Sequence, residues 1–187
     1  MPIAPGTYEL GPQNATLLVN TKRRGAASKA GHDLEIEVTS WSATLELRDP
    51  PNPPSVALSV DATSLRVREG RGGIQALGED DKDNIRQTID DEVLKGGAIE
   101  FRARQVEVSS DGNHMHVEGE LELGGTKRPI AFDLTIAQGG RLMGGATVKQ
   151  SEWGIKPYSA LFGALKVADE VEVTIDADLS AGSGAGP

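Results

Sequence analysis

The sequence predicts an all-β chain: an antiparallel, up-and-down β-barrel of about eight strands with one short surface α-helix around residues 80–95. Three observations carry this reading. Apolar and polar residues alternate with period two along most of the chain. Short turn-forming stretches separate the alternating runs. One segment alone has helical spacing.

In order, the weaker strands "TYEL" and "ATLLVNTKR" come first. "LEIEV" then sets Leu34, Ile36 and Val38 against Glu35 and Glu37. "WSATLEL" sets Trp41, Ala43, Leu45 and Leu47 against Thr44 and Glu46, and "SVALSV" gives Val56, Leu58 and Val60. "AIEFRA", "VEGELEL" and "IAFDLTI" alternate in the same way, followed by "LMGGATVKQ" and "VEVTIDADL". "RDPPNPPS", "SSDGNH", "GGTKRP" and "AQGGR" read as links, the last three as hairpin loops that make their flanking strands antiparallel neighbours. The apolar parity shifts after Ala62 and again after Ala103, so a β-bulge is expected at each place.

In "LGEDDKDNIRQTIDDEVLKGG" the apolar residues are Ile85, Ile89, Val93 and Leu94. Asp80 or Asp81 suits the start of a helix, and Gly96 suits its stop. The narrow apolar stripe predicts a surface helix across an edge or an end of the sheet. The glycine-rich "REGRGGIQALG" before it is expected to be mobile.

The totals exclude several classes. With 187 residues the chain is long enough to bury a core, and it reads as one barrel domain over 1–180 with a flexible tail at 181–187. It has no cysteine, so no thiolate-bound metal or cluster is expected. Its 28 acidic and 19 basic residues give a net charge of −9, which argues against nucleic acid and against charge-driven docking on an anionic membrane. The start shows no secretory signal pattern, which predicts a cytoplasmic location. No window approaches the ~20 apolar residues of a spanning helix, so no transmembrane anchor is expected. Oligomeric state stays open, a homodimer included.

The three histidines are candidate sites. Adjacent residues of a strand face opposite sides, so His32 and Asp33 are not a base with its orienting group. Ser28 has no nucleophile-elbow sequence around it, and no catalytic residue is assigned. His114 and His116 share the face that continues as Glu118, Glu120 and Glu122, so both point to solvent and no metal site is expected. "EDDKDN" lacks calcium-loop spacing and "GRGGIQALG" lacks a phosphate-loop pattern.

The inward faces carry small residues: Ala43, Ala103, Gly119, Gly144 and Ala146. The chain has only three Phe, two Trp and two Tyr to fill a barrel. Such a lining suits an apolar cavity; an interior packed by Leu, Ile and Val is the alternative. The late segment "SEWGIKPYSALFGALKVADEV" holds Trp153, Tyr158 and Phe162 between turn-forming residues, and reads as a lid over a ligand or as a plug.

Together "GTYELGPQNATLLV", "VALSVDATSLRV", "DDKDNIRQTIDDEVLKGGAIEF", "VEGELELGGTKRPIAFDL" and "EWGIKPYSALFGALKVADEVEVTI" resemble, in order, the segments of the YceI-like, polyisoprenoid-binding, lipocalin-like family. The hairpin with the G-T-K-x-P turn is the nearest match. Gly96 and Gly97 stand where the family usually has a Tyr-Pro pair, and the strand "LLVNTKR" lacks a histidine many members carry. The resemblance implies a barrel that holds a long-chain isoprenoid, an isoprenoid quinone or a similar lipid without catalysis and without a cofactor. On that basis the expected wall and lid are Trp153, Tyr158 and Phe162. The expected lining is Phe101, Leu121, Phe132, Leu134 and Ala146. His32, Arg24 and Lys156 are the expected head-group contacts. Two alternatives remain: a filled interaction barrel with no ligand, and an enzyme on an isoprenoid-like substrate using His32 as base.

Overall fold

The computed structural model describes residues 4–49 and 52–181. Residues 50 and 51 of the proline-rich link and the expected tail from residue 182 onward lie outside the described residues. The alternating runs form strands β1 (Gly6–Leu10), β2 (Ala15–Asn20) and β3 (Arg23–Arg24). Next come β4 (His32–Val38), β5 (Trp41–Leu47), β6 (Ser55–Val60) and β7 (Leu65–Gly72). Helix α1 (Glu79–Thr88) runs on into a π-helical stretch, Ile89–Leu94. Then follow β8 (Ile99–Val108), β9 (His114–Leu123), β10 (Thr126–Ala137) and β11 (Arg141–Lys149). The short β12 (Ser159–Ala160) and β13 (Leu165–Val167) precede β14 (Glu170–Asp178).

Eleven strands make one curled sheet in the order β1-β5-β6-β8-β9-β10-β11-β14-β2-β4-β7, and β12, β13 and β3 make a small second sheet. All the pairings are antiparallel. The all-β architecture is therefore the predicted one, with more strands than the expected eight or so. In the large sheet consecutive strands are neighbours from β8 to β11 and at β5–β6, and elsewhere the order departs from chain order. Curling brings early and late segments together, so β2 lies beside β14, a pairing that local hairpin signals cannot announce.

The parity breaks have two different causes. Between Ala103 and Gln105 the β8–β9 register shifts, leaving Arg104 as the extra residue of a bulge, as predicted. The break after Ala62 is not a bulge. There the chain turns from β6 into β7: Asp61 Oδ1 accepts from Thr63 N at 2.9 Å and Thr63 Oγ1 at 2.8 Å, and Ser64 N donates to the Asp61 carbonyl oxygen at 3.0 Å. A side-chain-capped turn resets the parity as completely as a bulge does. The β4–β7 pair has a shift that the pattern did not flag, between Glu35 and Ile36, with Arg68 as the extra residue.

Helix α1 starts where the acidic run predicts. Asp81 Oδ2 accepts from Gly78 N at 2.9 Å, satisfying a donor that the first helical turn leaves free. The helical run ends on Lys95 and Gly96, both left-handed at φ 54° and 65°. The helix packs against β7, the edge strand of the sheet.

Met115, Val117, Leu142 and Leu179 are the most deeply buried side chains. Their end of the sheet is tied by bonds from strand ends to turns: Ile136 N to the Asn113 carbonyl at 2.8 Å, Asp178 N to the Asn14 carbonyl at 2.9 Å and Leu179 N to the Gly140 carbonyl at 2.9 Å. At the opposite end of β2, β11 and β14 stands the small second sheet.

Candidate functional site: an apolar cavity with one polar end

Between the packed end and the small sheet the curled strands enclose a cavity of about 620 Å³. That lies within the roughly 300–1,000 Å³ of small-molecule sites. The strands contribute inward aliphatic residues, among them Leu34 and Ile36 of β4, Val56, Leu58 and Val60 of β6, and Val171, Val173 and Ile175 of β14. Each set comes from the period-two alternation of its strand. Of the expected lining, Phe101, Leu121, Phe132, Leu134 and Ala146 all face this space. Phe101 and Phe132 meet there as a tilted pair, ring centres 5.2 Å apart.

Helix α1 and its π-helical continuation complete the wall. Ile85, Ile89, Val93 and Leu94 line the cavity, joined by Leu77 from the preceding loop. Sequence reasoning placed this stripe on a surface helix and gave it no part in the site. The signal was present, because the stripe that predicts the helix is the face it turns inward.

Polar side chains gather at the end beside the small sheet. Thr21, Arg23, His32, Gln150, Tyr158 and Lys166 all border the cavity there, while Asp81, Asn84 and Thr88 add polar groups from the helix. Arg23 Nη1 donates to the Gly31 carbonyl oxygen at 2.6 Å, and Arg23 N donates to Asp33 Oδ1 at 2.8 Å. The guanidinium stands close against Gly72, where a Cβ would collide with it. Gln150 is buried and donates its amide to the Ala168 carbonyl at 3.0 Å.

His32 faces the cavity at the first position of β4. Its Nε2 lies 2.7 Å from the Gln75 carbonyl oxygen, which can only accept, so Nε2 carries a proton and donates it. The ring packs on Gly73, and that close approach needs a residue without a side chain. Only Nδ1 is left to meet anything else. Asp33, its neighbour, turns the other way, toward Arg23 and Lys22.

The remaining expected contacts stand elsewhere. Trp153 is buried in the core beside the cavity and does not border it; its Nε1 donates to the Leu121 carbonyl at 2.9 Å. Phe162 projects into solvent at the β12–β13 tip. Arg24 and Lys156 are exposed and off the lining, while Arg23 and Lys166 are on it. For the arginines the reason is alternation, since neighbouring residues of β3 face opposite sides. Tyr158 does border the mouth.

His114 and His116 lie on the outer face. His116 sits opposite Asp133 in the β9–β10 register, with Nδ1 2.7 Å from Asp133 Oδ1 and Nε2 3.4 Å from Glu118 Oε1. The hydrogen bond to Asp133 raises the imidazole above its usual range. Among the described residues no group of three or more His, Asp or Glu side chains is placed to hold a metal ion. No described helix is long and apolar enough to cross a membrane.

Comparison with solved structures finds the same fold. BcnA of Burkholderia cenocepacia superimposes with a TM-score of 0.62 at 16% identity, over 87% of this chain and 94% of that one. The YceI protein of Campylobacter jejuni gives 0.52 at 14% identity, over 75% and 81% of the two chains. A mutant of it carrying a monobromobimane guest gives 0.55 at 13% identity over the same shares. Among curated proteins nothing matches. The family model for the YceI-like domain matches residues 8–179, which is nearly the whole described barrel, and the chain belongs to that family.

Proposed function

We propose that the barrel binds one apolar amphiphile, a polyisoprenoid, an isoprenoid quinone or a similar lipid, and holds it without chemical change. The observation that carries this reading is the cavity of about 620 Å³ with aliphatic walls and its polar groups massed at one end. An acyl or prenyl chain buried against such walls gains ~0.8 kcal/mol per CH₂. Arg23, His32 and Lys166 would receive a polar head at the mouth. The cavity counts against a filled barrel. An enzymatic reading would need His32 as base through its remaining Nδ1, while its neighbour Asp33 is turned to Arg23 and Lys22.

Native mass spectrometry with organic extraction of the purified protein tests the proposal. The expected result is one lipid-sized adduct per chain, or uptake of added polyprenyl alcohol or quinone by an empty protein. Ala146→Trp, which projects an indole into the cavity, should abolish uptake; melting curves verify that it folds. An empty protein that takes up neither class of compound overturns the reading. His32→Ala separates binding from catalysis: under this proposal no turnover of the bound lipid is seen in either protein.

A further inference from the structure

Three segments meet around the cavity mouth: residues 22–31, 70–78 and 154–168. Ala27 N donates to the Ala164 carbonyl at 2.8 Å, Ala168 N to the Lys22 carbonyl at 2.7 Å, and His32 Nε2 to the Gln75 carbonyl at 2.7 Å. The first segment holds four basic residues, the second one and the third two, so seven of the chain's 19 basic residues stand here and none of its 28 carboxylates. Carboxylates flank these segments and partner three of the seven cations, Lys22, Arg23 and Arg71, while among the described residues Arg24, Lys29, Lys156 and Lys166 have no carboxylate within ion-pair distance. Asp33 pairs with Lys22 at 3.8 Å and Arg23 at 4.0 Å, Glu69 with Arg71 at 3.0 Å, and Glu79 at the helix start with Lys82 at 2.9 Å. The net charge of −9 thus conceals one cationic end on an acidic body.

The same end carries the most exposed large apolar side chains among the described residues. Phe162 is fully exposed at 113%, Ile74 is 81% exposed and Leu161 59%. Leu161 and Phe162 both have positive φ, 51° and 54°, a backbone state that bulky residues rarely adopt. The turn at the β12–β13 tip therefore presents two apolar side chains outward at a conformational cost, where folding alone would tuck them in. Apolar tips ringed by cations match a lipid surface: the tips enter the boundary between headgroups and acyl chains, and the cations meet anionic headgroups.

We infer that this end of the barrel docks on an anionic bilayer surface, with Leu161, Phe162 and Ile74 inserted and the cavity mouth turned toward the lipid. The acidic remainder of the surface is repelled by the same bilayer and so orients the molecule. Docking stands on the exposed tips and the charge distribution; its use for loading the cavity rests on the ligand reading above.

Flotation of the full chain with vesicles tests it, using phosphatidylcholine alone and phosphatidylcholine mixed with phosphatidylglycerol. The protein should float with the mixed vesicles, stay behind with phosphatidylcholine alone, and be released by salt. The double variant Leu161→Ser, Phe162→Ser should keep its melting temperature and lose at least about tenfold in partitioning. Arg24→Glu and Lys29→Glu should each lose about fivefold or more. Absence of flotation with the mixed vesicles, or flotation that the double variant leaves unchanged, overturns docking. A dimer that ignores vesicles and dissolves in the double variant gives the patch to a second copy, and also overturns it. Polyprenyl uptake from an ethanolic stock is measured in parallel. Uptake without flotation sinks docking alone, and flotation without uptake supports docking while sinking the ligand reading.

Discussion

Phe101 lays its ring over Gly119, where a Cβ would stand 2.5 Å from Phe101 Cζ and closer still to the Arg102 carbonyl oxygen. The cavity wall is thus shaped by a side chain that is missing. Gly119→Val should destabilise the fold by ~1–3 kcal/mol through overpacking, read as a lower urea midpoint at unchanged slope; an unaltered midpoint refutes the contact. His116 gives a second residue-scale expectation. Its hydrogen bond to Asp133 raises its pKa above the usual imidazole value. The sign follows from linkage: the stabilisation is complete below the unfolded pKa and fades as pH rises through the folded one. The urea midpoint of the parent chain should therefore exceed that of His116→Gln at about pH 5, with the gap closing at alkaline pH. An imidazole titration by NMR should show a midpoint above 6.5 for His116; one at or below it refutes the pairing. At this scale the face of each residue was legible, as with Phe132 and Leu134, because strand alternation is strict. Membership of the cavity was not: Trp153 and Phe162 are aromatic residues in a non-strand segment, and no periodicity tells which way such a segment turns.

Helix α1 shows the same division one level up. Its acidic start, its stripe and its glycine stop were all readable, since capping and periodicity are local. Its duty as a cavity wall was not, because that depends on where β7 leaves the sheet. The helix is anchored at its start by Asp81, whose carboxylate accepts from Gly78 N at 2.9 Å and faces the positive end of the helix. Asp81→Ala should loosen it by ~1 kcal/mol, so amides within residues 79–94 should exchange about fivefold faster while those of β9 and β10 stay as before. Unchanged exchange in the helix would show that its packing on β7 holds it without the cap. The two parity breaks make a related point. The bulge at Arg104 and the turn after Ala62 leave the same trace in an alternating pattern, and only the Asp61-Ala62-Thr63-Ser64 chemistry tells them apart.

For the whole molecule, the all-β class, the antiparallel pairing and the helix follow from pattern alone. Cavity volume does not, because it depends on curvature summed over eleven strands. Nor does charge distribution: a net −9 reads as a uniformly acidic surface until the fold gathers three carboxylate-free segments at one mouth. The pairing of β2 with β14 has a consequence for how the chain reaches this state. Residues Ala15–Asn20 find their partners at Glu172–Ala177, so the loop they close is nearly the whole domain. The meander from β8 to β11 can zip up locally as soon as it exists, but β2 has an open flank until the last strand arrives. Loop-closure entropy has to be met before that contact repays it, which makes the closing step slow. During synthesis the edge of β2 that pairs with β14 has no partner until residues Glu172–Ala177 emerge, near the end of the domain.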